Sequence, residues 1–141
     1  MSETTSRKGV CVCGEVTLNA AKASNSVSAC HCNSCRRWSG GPFIDLNCGD
    51  EVSIEGAQSV SVFNSSDWAE RGFCKHCGTH LFYRLKASNQ YMIPVGLFTT
   101  DDNLQFSTQV FIDEKPDYYD FANKTENMTG AELFAKFGAD S

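Results

Sequence analysis

Apolar and polar residues alternate with a period of two along most of this chain, the pattern of strands with one face buried and one in water. The alternation predicts strands over residues 15–20, 27–29, 42–47, 52–55, 60–63, 80–85, 91–97 and 109–112. Turn chemistry separates them, at Gly40-Gly41-Pro42, Gly49-Asp50, Asn64-Ser65-Ser66-Asp67 and Asp101-Asp102-Asn103. Many short strands at close spacing indicate antiparallel sheets in a sandwich or barrel-like arrangement. One helix stands out at the C-terminus. Thr129-Gly130-Ala131-Glu132 is a capping box, Leu133, Phe134 and Phe137 share a face behind it, and Gly138 closes it. Residues 117–128 carry no period and read as a surface loop.

Length and composition leave this picture largely unchanged. The 141 residues fit one domain with a core of its own, and no linker composition or repeat divides them. Residues 9–141 are expected to form a single β domain, after a polar, disordered lead-in over residues 1–8. The net charge of −5 argues against a nucleic-acid partner, because phosphate binding needs a basic face. No apolar run approaches the roughly 18 residues of a membrane span. The polar N-terminus does not read as a secretory signal, so a cytoplasmic, reducing location is expected.

In such a compartment eight cysteines need a purpose, and they are not scattered. Cys11 and Cys13 form one group, Cys30, Cys32 and Cys35 a second, Cys74 and Cys77 a third, with Cys48 alone. Buried free cysteines are common, but chance burial does not produce three tight groups, and metal ligation does. Cys48 alone reads as a packing residue.

Cys74-Lys75-His76-Cys77-Gly78 is a C-x-x-C knuckle, a spacing that lets both sulfurs reach one ion. The glycine that follows permits a turn with positive φ, so that backbone N–H groups can point at the sulfurs. Cys11-Val12-Cys13-Gly14 offers a second pair of the same kind. Neither pair completes a tetrahedron alone. Joined, they make a closed four-thiolate site for Zn²⁺ that ties together segments about 60 residues apart.

Cys30-His31-Cys32-Asn33-Ser34-Cys35 differs, with three thiolates and no obvious fourth. Three protein ligands and an open position is the pattern of a catalytic zinc, and a soft thiol substrate suits a sulfur-rich site. The alternative is a second structural site with His31 or Cys48 as fourth ligand. Alternation along an extended segment sends His31 away from Cys30 and Cys32, which favours a packing role for it. His76 is expected at the surface and His80 on a strand. Arg36 and Arg37, directly after the ligands, are candidates to receive a substrate carboxylate, with Arg71 and Lys75 further off. A solvated surface charge is the plain alternative for each arginine. Trp38 and Phe43 either wall the pocket or pack in the core.

These segments together resemble a known family. Gly9-Val-Cys-Val-Cys-Gly14, Cys30-His-Cys-Asn-Ser-Cys-Arg-Arg-Trp-Ser-Gly40 and Arg71-Gly-Phe-Cys-Lys-His-Cys-Gly-Thr-His-Leu81 look like the glutathione-dependent formaldehyde-activating enzymes, a family that includes centromere protein V. The likeness runs from about Gly9 to Lys115-Pro116; the tail beyond offers no motif. It implies a mainly β fold of the β-tent type around two zinc sites. Cys11, Cys13, Cys74 and Cys77 would hold the structural zinc, and Cys30, Cys32 and Cys35 the catalytic one. The implied reaction is addition of glutathione to formaldehyde, a carbon–sulfur lyase reaction in reverse. Arg36, Arg37 and Trp38 are then the expected substrate contacts.

Three function classes fit the sequence: a zinc-dependent carbon–sulfur lyase acting on glutathione–aldehyde adducts, a non-catalytic zinc module that binds a protein partner, and a thiol–zinc redox sensor. A pocket with cationic residues beside the three cysteines marks the enzyme. An exposed apolar patch marks the module.

Overall fold

A computed structural model describes residues 3–137. Its strands are β1 (Thr4–Val10), β2 (Thr17–Ser24), β3 (Ser26–Cys30), β4 (Phe43–Asn47), β5 (Val52–Glu55), β6 (Val60–Phe63), β7 (Ala69–Cys74), β8 (His80–Leu85), β9 (Gln90–Pro94), β10 (Gln105–Val110) and β11 (Glu126–Met128). Two helices accompany them, α1 (Asn33–Ser39) and α2 (Gly130–Phe137). The protein is mainly β, as expected. Three strands make a small sheet in the order β1-β2-β5, and eight make a large one in the order β11-β10-β3-β4-β9-β8-β7-β6. Pairing is antiparallel except at one end of the large sheet, where β10 runs parallel to both β3 and β11.

The core lies between the sheets. Leu18 and Ala20 from the small sheet, with Val16 just before β2, meet Leu46, Leu81, Phe82 and Ile93 from the large one. Cys11, Cys48 and Cys74 belong to the same cluster. Gly72 is part of this fit, because a Cβ there would sit where the ring of Phe82 already lies. Gly72→Ala is therefore expected to cost about 1–3 kcal/mol through overpacking, read as a fall of several degrees in Tm.

The predicted strands at 52–55, 60–63 and 80–85 form over the same residues. Others differ. The expected lead-in over residues 1–8 is corrected: from Thr4 it is strand β1, laddered onto β2 from Thr4 to Val10. Its inward residue is a charge, Arg7, only 3% exposed. Arg7 donates to the Thr100 and Asp102 carbonyls (3.0 and 2.6 Å) and to Asn25 Oδ1 (2.9 Å), which no apolar pattern foreshadows. The predicted loop over residues 117–128 ends in β11, held by parallel pairing to β10. The predicted strand over 91–97 gives way at Pro94 to a 3-10 turn over Val95–Leu97.

The capping box of α2 forms as read. Glu132 N–H donates to Thr129 Oγ1 (3.1 Å), and Thr129 N–H donates to Glu132 Oε1 (2.8 Å). The expected closure at Gly138 lies outside the described residues.

Candidate metal centres

Two turns bring the first cluster together. Cys11 and Cys13 leave the end of β1, and Cys74 and Cys77 leave the end of β7. Gly14 (φ 83°) and Gly78 (φ 78°) adopt the left-handed backbone expected of each turn. The four sulfurs all lie within 4.8 Å of one another, with Cys11–Cys13 at 3.6 Å and Cys13–Cys74 at 3.7 Å. A tetrahedron with metal–sulfur bonds of about 2.3 Å has edges of about 3.8 Å, so the spacing and the donor set fit a zinc ion. Cys11 and Cys74 are buried, whereas Cys13 and Cys77 lie at the surface. The Val16 N–H donates to Cys11 Sγ at 3.3 Å. Hydrogen bonding from the Thr79 hydroxyl and backbone holds the Cys77 thiol down to about 5.

The second cluster is built on a strand-to-helix junction. Cys30 closes β3, Cys32 is the N-cap of α1, and Cys35 is the buried residue of that helix. Cys32 Sγ accepts the Cys35 N–H at 3.3 Å, as an N-cap side chain does. The three sulfurs also lie within 4.8 Å of one another, with Cys30 and Cys32 half-buried. Hydrogen bonds from the Cys30 and Cys35 thiols hold Cys32 down to about 2, and contact with those two neighbours pushes Cys30 far up. This set also fits a soft metal ion, with room for a fourth ligand.

Neither alternative fourth ligand is available. His31 is fully buried and both ring nitrogens are in use. Nε2 donates to Gln109 Oε1 (2.8 Å) and Nδ1 accepts from the Tyr119 hydroxyl (2.8 Å). Burial lowers its pKa, which keeps the ring neutral. These bonds also give the tail a role, since Tyr119 fastens it over the strand end. Cys48 sits in the core, where burial pushes its thiol up to about 12, and its Sγ–H points to the Leu46 carbonyl at 3.5 Å.

Directly paired residues share a face of a sheet. Cys30 pairs with Phe43, Ser28 with Asp45, Asp45 with Pro94, Met92 with Tyr83, and Tyr83 with Arg71. One face of the large sheet thus carries Cys30, Phe43, Asp45, Met92, Tyr83 and Arg71, opposite the core face. The expected substrate contacts lie on or beside α1. Arg37 is exposed on α1, and the half-buried Arg36 donates through Nε to the His31 carbonyl at 2.9 Å. Lys75 and His76 lie at the surface of the knuckle. Trp38 stacks on His80 (4.2 Å between centroids, 15° between planes) and packs at 5.5 Å from Phe43.

The cation beside the three cysteines is Arg71, 5% exposed. Its Nη2 donates to Cys35 Sγ at 3.7 Å, and its guanidinium lies 4.8 Å from the ring centroids of both Trp38 and Tyr83. Sequence spacing ranked it a distant candidate, because β7 reaches Cys35 only through sheet register. Asp45 was not singled out at all. Burial pushes its carboxyl well above the usual range, on the face that carries Cys30.

Fold and sites together define a β-sheet protein with two cysteine clusters able to hold metal ions. The glutathione-dependent formaldehyde-activating enzyme family matches residues 6–114, and the chain belongs to that family. An uncharacterized lyase of Schizosaccharomyces pombe is 41% identical over 127 residues, covering 89% of this chain and 93% of its own. A Penicillium rubens protein, provisionally named a glutathione-dependent formaldehyde-activating enzyme, is 36% identical over 80 residues. That match covers 55% of this chain and 41% of the relative. A crystal structure of a Rhodobacter sphaeroides protein shares the fold, with a TM-score of 0.57 at 22% identity, covering 65% of this chain and 87% of the other. Among the described residues no helix is long and apolar enough to cross a membrane.

Proposed function

We propose that this protein is a zinc-dependent carbon–sulfur lyase that makes and breaks the adduct of glutathione with a small aldehyde, formaldehyde being the simplest. The observation that carries this reading is the three-cysteine cluster, half-open through Cys30 and Cys32 and flanked by the buried Arg71. Cys30, Cys32 and Cys35 would hold one zinc, and Cys11, Cys13, Cys74 and Cys77 the other. When bound at the three-cysteine centre, zinc supplies Lewis acidity and an open position, which favour the thiolate form of an incoming thiol near neutral pH. The chain's own residues do the rest. Trp38, Phe43 and Tyr83 give apolar walls that exclude water from the carbon–sulfur bond. Arg36 and Arg37, at the end of α1, face the outer parts of a tripeptide and are the candidates for its carboxylates. Eight cysteines without a disulfide among them suit a reducing cytoplasm.

Exchange NMR on mixtures of glutathione and ¹³C-formaldehyde tests the reading. Interconversion of free and adduct forms should speed up in proportion to protein concentration, at least tenfold over the uncatalysed rate. A rate indifferent to protein would refute it. A second reading, a non-catalytic module for a protein partner, draws support from the exposed Phe63 and Trp68 between β6 and β7. Under that reading glutathione leaves the three-cysteine centre unchanged.

A further inference from the structure

The buried guanidinium beside the second cluster has a donor without an acceptor. Arg71 Nη1 is fully shielded from solvent and has no hydrogen-bond partner. Leaving such a group unpaired costs on the order of 1–3 kcal/mol, and more for a charged one. An unpaired, immobile charge in a functional site is better explained by a ligand than by packing. The rest of the side chain is fixed. Trp38 and Tyr83 cover the guanidinium at 4.8 Å each, and Nη2 is committed to Cys35 Sγ. Both rings and Cys35 thus hold the guanidinium, with its free donor, beside the cluster.

Its position selects what it can bind. Nη1 and Nη2 sit on one planar fork, so the free N–H lies within about 6 Å of Cys35 Sγ. A thiol that joined the three cysteines as a fourth sulfur donor would lie beside Cys35, to which Nη2 already donates. In a thiol–aldehyde adduct the oxygen is two bonds from that sulfur, and so lies within the fork's reach. The carboxylates of a tripeptide lie many bonds further out and would have to be carried down to a buried nitrogen.

We propose that Arg71 is a catalytic residue of this centre: Nη1 donates a hydrogen bond to the aldehyde oxygen as it becomes an oxyanion, and to the hydroxyl of the adduct. The proposal rests on the reaction class inferred above. In the forward direction the thiol sulfur's electron pair forms the C–S bond, and the C=O π pair moves to oxygen. The proton released by the thiol ends on that oxygen, giving the S-hydroxyalkyl product; nothing is oxidised or reduced. In reverse the hydroxyl proton returns to sulfur as the C–S bond breaks. Arg71 stays charged throughout and stabilises the oxygen where negative charge builds.

The test compares wild-type holoenzyme with Arg71→Gln and Arg71→Lys, after each is shown to keep the wild-type metal content and a cooperative thermal transition. Losing one such donor lowers kcat on the order of 100-fold. We expect that fall in Arg71→Gln, a smaller one in Arg71→Lys, and a KM for glutathione within threefold of wild type. Calorimetry gives a readout independent of turnover. Wild type should bind glutathione premixed with formaldehyde at least tenfold more tightly than S-methylglutathione, and Arg71→Gln should lose that preference while keeping its affinity for S-methylglutathione. An active wild type whose Arg71→Gln variant keeps the preference, or changes only KM, overturns the role of Arg71 alone. A wild type that neither binds S-methylglutathione nor turns over overturns the glutathione reading and this proposal with it.

Discussion

Cys77→Ser is expected to remove one metal ion per chain and to lower Tm by more than 10 °C, or to abolish a cooperative transition altogether. The four-cysteine cluster joins the end of β1 to the end of β7, segments with no strand pairing between them. Two of its members, Cys11 and Cys74, are core residues at 4% and 0% exposure. A hydroxyl is a hard, weakly acidic donor and does not replace a thiolate on zinc. The apparent binding free energy of a structural zinc is about 10–16 kcal/mol, comparable to or larger than the whole stability of an ordinary domain at about 5–15 kcal/mol. Even partial loss exceeds the margin. Cys77 suits the test because its side chain is at the surface, so the substitution leaves no cavity in the core. Thermal denaturation with metal analysis on the same sample reads both effects.

Cys32→Ser is expected to reduce adduct formation to the uncatalysed rate, a loss of at least 100-fold, while Tm moves by only a few degrees. Cys32 is half-buried and its structural duty is to cap α1 through the Cys35 N–H. Serine is among the best N-cap residues, so the helix start survives the exchange. What is lost is one of the three sulfurs of the cluster. The fold of this region does not hang on that sulfur, because His31, Gln109 and Tyr119 pin the end of β3 independently. Equal loss of thermal stability in Cys32→Ser and Cys77→Ser would defeat the division of roles between the two clusters.

The cysteine clusters are legible because the turns that gather their members are local. C-x-C and C-x-x-C, each followed by glycine, record a turn and its donors within five residues, and both glycines have the positive φ those turns need. Alternation found the strands whose inward side chains are apolar. It failed where a strand buries a charge: Arg7 on β1, and Arg71 on the face of β7 away from the core, both held by partners distant in sequence. Those two strands were missed for the same reason. Helix α1 spans only seven residues with a cysteine as its cap, too short for a periodic signal. The sheet register that brings Arg71 to Cys35 and Asp45 onto the face of Cys30 is a property of paired strands, and no single strand carries it.

The central claim is that the two clusters hold metal in different ways, one closed and one open to a thiol. Cobalt-loaded protein titrated with glutathione tests it most directly, because the visible spectrum of Co²⁺ reports its ligands. Two cobalt ions per chain, with a spectral change on adding glutathione that is confined to the component missing in Cys32→Ser, is the predicted result. A spectrum that glutathione leaves untouched, or one in which the four-cysteine component shifts as well, would contradict the account.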